Sequence, residues 1–117
     1  MNDIDLIRLR HMLDAAKEAL SFLEGRTFED LRRERMFMLA VVKEIEIIGE
    51  AATRISEESR KTLPRVAWPK IVAMRNRLIN AYADVDLSIV WDTLTDALPG
   101  LVSELEKALP SLTEPLP

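Results

Sequence analysis

The chain has 117 residues, 48% hydrophobic and 31% charged, a composition that fits one globular domain able to bury a core of its own. Sixteen basic residues against twenty acidic ones leave a net charge of −4, which argues against broad, unspecific nucleic-acid binding; an RNA contact would need a local basic cleft. The absence of cysteine excludes a disulfide framework and thiolate metal sites and is compatible with a reducing cytosol.

The N-terminus, MNDIDLIRLRHM, is charged almost from the start and carries no signal-peptide core. No stretch nears the roughly 18 apolar residues of a spanning helix, so a cytoplasmic location without membrane contact is expected. Three glycines and little strand-like alternation point to an all-α fold. The first helix is expected from about Asp3 to Glu24, with Ile4, Leu6, Ile7, Leu13, Ala16, Leu20 and Leu23 as its apolar face and Gly25 as its stop. Thr27 followed by Asp30 reads as a capping signal.

From Phe28 to about Ser59 only Gly49 interrupts the pattern, which predicts one unusually long helix serving as a spine. Its centre, FMLAVVKEIEIIGEAA, is apolar on nearly every side and should be buried. Glu46, Glu50 and Arg54 recur there at four-residue spacing, either as an intrahelical ladder of ion pairs or as charges facing a partner. Lys61 to Trp68 form a loop carrying Pro64, and Pro69 suits the first turn of a helix reaching about Ala83. Asp86 should cap a last helix that Pro99 kinks or splits. Residues 1–109 thus form a single domain, and the proline-rich tail, 110–117, is expected to be extended or frayed.

The segment IVAMRNRLINAY breaks its own pattern. With Arg75 at zero on a helical wheel, Ile71, Val72, Leu78, Ile79 and Tyr82 all fall within about 60° of it. Arg75 therefore stands in the middle of an apolar stripe, with Asn76 and Asn80 on its border and Arg77 pointing away. A guanidinium in that position needs a counter-charge or a route to solvent. It either pairs with Glu46 or Glu50 on the spine or lines a cleft and binds phosphate, for which its planar fork of donors is suited. The lone histidine, His11, lies off the main apolar face of the first helix and reads as a surface residue. No glycine-rich phosphate loop, metal-ligand spacing or nucleophilic triad is present, so neither a metal nor a cofactor is expected.

Three segments, LRHMLDAAKEALSFLEGRTFEDL, IEIIGEAATRIS and above all PKIVAMRNRLINAYADVDLSIVWDTL, resemble the HepT-like toxins of the HEPN superfamily over nearly the whole chain. The resemblance implies a HEPN-like antiparallel bundle of four to five helices with a long second helix and a kinked last one. The family motif is Arg, four residues, His, one residue, Tyr. Arg75 and Tyr82 match it, while Asn80 stands where the family has histidine.

The resemblance also implies a homodimer whose two motifs face a shared cleft, where RNA is cleaved without a metal. The partner implied is a cognate MntA-type minimal nucleotidyltransferase antitoxin in a type VII-like toxin–antitoxin pair, which transfers AMP to the motif tyrosine, here Tyr82. Arg75, Asn80 and Tyr82 would form the catalytic set with Asn76 in support. Arg75, Arg77 and Arg54 would contact RNA, and Glu50 with Arg54 resembles the family's charged pair.

Cleavage by the RNA's own 2′-hydroxyl needs phosphate charge stabilised and two protons moved. Arginine supplies the first, and histidine, titrating near neutrality, the second. Asparagine exchanges no proton there, a loss worth about 10²- to 10⁴-fold in rate. The expected function is accordingly an RNase site impaired at Asn80. The alternative is a non-catalytic dimer that binds the nucleotidyltransferase or a nucleotide.

Overall fold

The computed structural model describes residues 2–80 and 85–108; Tyr82 and the proline-rich tail fall outside them, as do the side chains of Ile79, Asn80 and Ala108. Its described residues form seven α-helices: α1 Asp3–Leu23, α2 Phe28–Arg33, α3 Arg35–Thr53, α4 Glu57–Lys61, α5 Trp68–Asn80, α6 Leu87–Asp92 and α7 Leu98–Ala108. A π-helical turn, Thr93–Ala97, joins the last two. The centre of the bundle is α1 packed along α3, with α5 against α3, and α7 against α1. Leu9, Met12, Leu13 and Ala16 from α1 meet Val41, Val42, Ile45 and Ile48 from α3, and Val90, Leu94 and Leu105 close the core from the C-terminal side. None of the described helices is long and apolar enough to cross a membrane.

Local chemistry sets most of the boundaries. Asn2 opens α1 by accepting from the Asp5 amide at 2.7 Å. Gly25, at φ 71°, supplies the left-handed residue that ends it. Thr27 and Asp30 form a reciprocal capping box on α2. Asp86 caps α6 through the Ser88 and Ile89 amides. Trp68 starts α5 with Pro69 in its first turn, and the indole Nε1 donates to the Leu63 carbonyl at 3.2 Å. Proline lacks an amide hydrogen, and its ring crowds the carbonyl four residues back, here that of Thr95. The wider π turn just before Pro99, closed by the Leu98 amide donating to the Thr93 carbonyl, relieves that crowding.

The spine differs from the single helix expected between Phe28 and Ser59: it is three helices. The first break is one extended residue, Glu34 (φ −99°, ψ 99°), with no glycine or proline to signal it. On an unbroken wheel Leu31 would stand about 40–120° from Phe37, Val41, Ile45 and Ile48. The extended residue lets both stripes face the core, and it sets Phe28 edge-on to Trp91 with ring centroids 6.0 Å apart. The second break follows Thr53, where Ser56 caps α4.

Ser56 also joins a buried clasp. The Asp5 carboxylate, 1% exposed, accepts from the Ser56 and Ser59 hydroxyls, both at 2.6 Å, and ties α1 to α4. These two hydroxyls, Ser56 first, hold the Asp5 carboxyl below its usual range.

The apolar face expected for α1 also needs revision at its start. Ile4 and Ile7 are 59% and 56% exposed, whereas Asp5, Leu9 and Met12 are buried. With Leu9 at zero, Ile4, Ile7 and His11 lie about 140–160° round the helix, on the face opposite the core. The helix therefore carries two apolar stripes, one buried and one open.

Candidate functional site

The open stripe of α1 and the outer flank of α3 form the walls of a groove of about 610 Å³, and Arg75 of α5 reaches into its end. Its position depends on Gly49, a buried residue of α3. An ideal Cβ on Gly49 would lie 2.2 Å from the Cβ of Arg75 and 3.4 Å from its Cα, so the two helices touch here because one residue has no side chain. The next residue of α3, Glu50, receives the guanidinium: Nη2 of Arg75 donates to its Oε2 at 2.6 Å. Arg54 pairs with the other carboxylate oxygen at 3.1 Å. Arg75 and then Arg54 hold the Glu50 carboxyl below the usual range, so it stays ionised.

Nη1 of Arg75 donates to the Asn76 side-chain oxygen at 2.9 Å, while its Nε is buried and makes no hydrogen bond. The apolar-stripe arginine thus has its counter-charge and still lines a cleft. Arg8 of α1 donates to the Arg54 carbonyl at 2.8 Å, closing the C-terminal end of α3 and fixing α1 against it. The groove therefore gathers four basic side chains, Arg8, Lys43, Arg54 and Arg75, against two acidic ones, Glu46 and Glu50. It is a local basic cleft on an acidic protein.

The sequence candidates divide accordingly. Arg75, Glu50 and Arg54 meet at one end of the groove, with Asn76 bonded to Arg75 beside it. Arg77 is exposed elsewhere, beside a small cleft of about 70 Å³ with Met74, Asp86 and Ile89. Only the backbone of Asn80, the last residue of α5, is described, and Tyr82 lies outside the described residues. Sequence reasoning did not single out His11, on the groove, or Gly49, behind it, as functional. His11 is on the surface, as its helical angle required, and that surface is the groove wall. Gly49 carried a legible signal: a lone glycine inside an otherwise strong helical pattern marks close packing. No cluster of acidic or histidine side chains among the described residues could hold a metal ion.

The all-helical bundle of the described residues is consistent with a HEPN-like domain. Within that class the chain belongs to the HepT-like ribonuclease family, whose description, "Ribonuclease HepT-like", matches residues 12–108. It is 32% identical to a provisionally named RNase of Caldanaerobacter subterraneus, covering 86% of this chain and 90% of that protein. It is 33% identical to the probable ribonuclease HepT of Thermococcus cleftensis, over 81% of this chain and 90% of the relative. No solved structure gives a significant match.

Proposed function

We propose that the chain is a HepT-type ribonuclease scaffold that holds RNA in the groove and cleaves it without a metal, at a rate reduced by Asn80. The supporting observation is the placement of Arg75: an ion-paired guanidinium, anchored by Glu50 and opening on a cation-rich groove. Two fixed arginines at one end suit a phosphate on its way to a pentacoordinate, more highly charged transition state. Glu50 cannot take a proton easily while both arginines hold it, so its part is to orient them. Arg54 and Arg75 act on the same phosphate region, and Arg77 contributes only where RNA extends past the groove.

A homodimer belongs to the same reading. Ile4, Ile7 and Ile47 line the groove, and Met36, 86% exposed, continues the apolar surface along α3. Apolar side chains this exposed, bordered by charge, suit a second copy whose docking would bring two grooves together. A toxin role with an MntA-type nucleotidyltransferase, and AMP transfer to the Tyr82 hydroxyl, complete the proposal. Mass spectrometry of the chain after incubation with that enzyme and ATP tests the transfer, and an unmodified Tyr82 would count against it.

The direct test is cleavage of a single-stranded RNA in chelator by this chain and by Asn80→His. Asn80→His is expected to cleave about 10²- to 10⁴-fold faster, the usual worth of a proton-transfer group. If neither protein cleaves, the ribonuclease reading fails. Asn80 itself favours a second reading, a non-catalytic dimer that binds the nucleotidyltransferase or a nucleotide. There, Arg75→Ala would weaken that binding, and no variant would cut RNA.

A further inference from the structure

We propose that His11 is the proton acceptor for the cleavage that this chain retains, a role resting on the ribonuclease reading above. His11 is the only histidine in the chain, and it lies on the wall of the groove that Arg75 enters. Its placement is fixed by an anchor one turn earlier and by the core behind its helix. One turn earlier, Arg8 reaches the Arg54 carbonyl, and behind it Leu9, Met12 and Leu13 are fully buried. The imidazole itself is exposed to the groove, whose volume lies within the roughly 300–1,000 Å³ common for small-ligand sites.

Most of the other charged groups lining the groove are poor proton acceptors. Arg8, Lys43, Arg54 and Arg75 are cations with donors only. Glu50 is held ionised by two of them, and Glu46 is the remaining carboxylate on the wall. Imidazole is the side chain that both takes and releases protons near neutrality.

The step balances without a co-reactant. His11 takes the proton of the 2′-hydroxyl as the 2′-oxygen–phosphorus bond forms and the phosphorus–5′-oxygen bond breaks. Water protonates the departing 5′-oxygen, leaving a 2′,3′-cyclic phosphate and a 5′-hydroxyl, and the imidazolium then returns its proton to solvent. Arg75 balances the charge on the non-bridging oxygens throughout.

Four proteins decide it: this chain, His11→Gln, Asn80→His and the double variant, each assayed on a fluorophore–quencher single-stranded RNA in chelator. This chain should cleave slowly, and His11→Gln should lower that rate about 10²-fold or more while RNA affinity by anisotropy stays within about twofold. In the Asn80→His background, where a second imidazole is available, the same change should cost less than about threefold. Equal losses in both backgrounds would mark His11 as structural, and no loss in this chain would also overturn the proposal. So would an inactive parent beside an active Asn80→His, which leaves the ribonuclease reading standing. Silence from all four would overturn that reading itself.

Discussion

Gly49→Ala sets two effects of known sign against each other. In a helix interior, alanine is favoured over glycine by about 1 kcal/mol, so local propensity alone makes the change stabilising. The new methyl would, however, sit 2.2 Å from the Cβ and 2.7 Å from the Cγ of Arg75. Carbon atoms pack at about 3.5–4.0 Å, so the shortfall exceeds about 1 Å. No rotamer of Arg75 moves its own Cβ, so α5 must shift away from α3. Overpacking of this kind costs typically about 1–3 kcal/mol, and with two backbone-rooted atoms in collision the upper half of that range applies. Net destabilisation of about 1–2 kcal/mol is expected in urea unfolding, together with weaker RNA binding as the Arg75–Glu50 pair loses register. Gly100→Ala is the control, because a methyl there meets nothing within 4 Å. It should gain a few tenths to about 1 kcal/mol. A Gly49→Ala protein as stable as the parent would refute the close-approach argument.

Two titrating groups should shape the stability profile in opposite directions. Glu44, 7% exposed between α1 and α3, is pushed up to about 7 from 4.5, chiefly by burial and then by the neighbouring Glu18 carboxylate. The folded state therefore keeps a proton that the unfolded chain has lost, and stability falls as pH rises from about 4.5 to about 7. Glu44→Gln should be close to neutral at pH ~5 and stabilising by about 1–3 kcal/mol at pH ~8, read by urea midpoints at both values. A gain at the lower pH alone would contradict the assignment. Asp5 behaves conversely: its carboxyl is lowered by the Ser56 and Ser59 hydroxyls, so its contribution is present above the ordinary carboxylate range and is lost as pH falls through the folded value. Asp5→Ala should cost about 2–4 kcal/mol near neutrality and flatten the acid limb of the stability curve. A neutral effect in thermal melts would mean that the clasp contributes nothing.

Features with local causes were legible in the sequence. Gly25, the Thr27–Asp30 box, Pro69, Asp86 and the disturbance before Pro99 each act within a few residues, and each stands where the pattern put it. The wheel isolated Arg75 and offered Glu46 or Glu50 as its counter-charge, because an ion inside an apolar stripe demands one; the structure pairs it with Glu50. The break after Thr53 was also readable: Ser56 followed by Glu57 and Glu58 is an N-terminal helix signature, outweighed by the apolar run before it. The break at Glu34 was not, since it comes from the phase between Leu31 and the α3 core rather than from any residue's own preference. Ile4 and Ile7 look like core residues in isolation, and only the position of α3 shows that their stripe stays open. The same holds for His11, whose neighbours across the groove are 32 and more residues away in sequence.

RNA binding by the groove is the claim on which the rest depends, and fluorescence anisotropy of a short single-stranded RNA with Arg75→Ala and Arg77→Ala tests it directly. Both changes remove one positive charge, so net charge is matched, but only Arg75 faces the groove. Arg75→Ala should weaken binding about tenfold or more, the usual worth of a charge-assisted phosphate contact, with Arg77→Ala near the parent. Equal affinities for the two variants, or a larger loss at Arg77, would place the RNA elsewhere on the bundle.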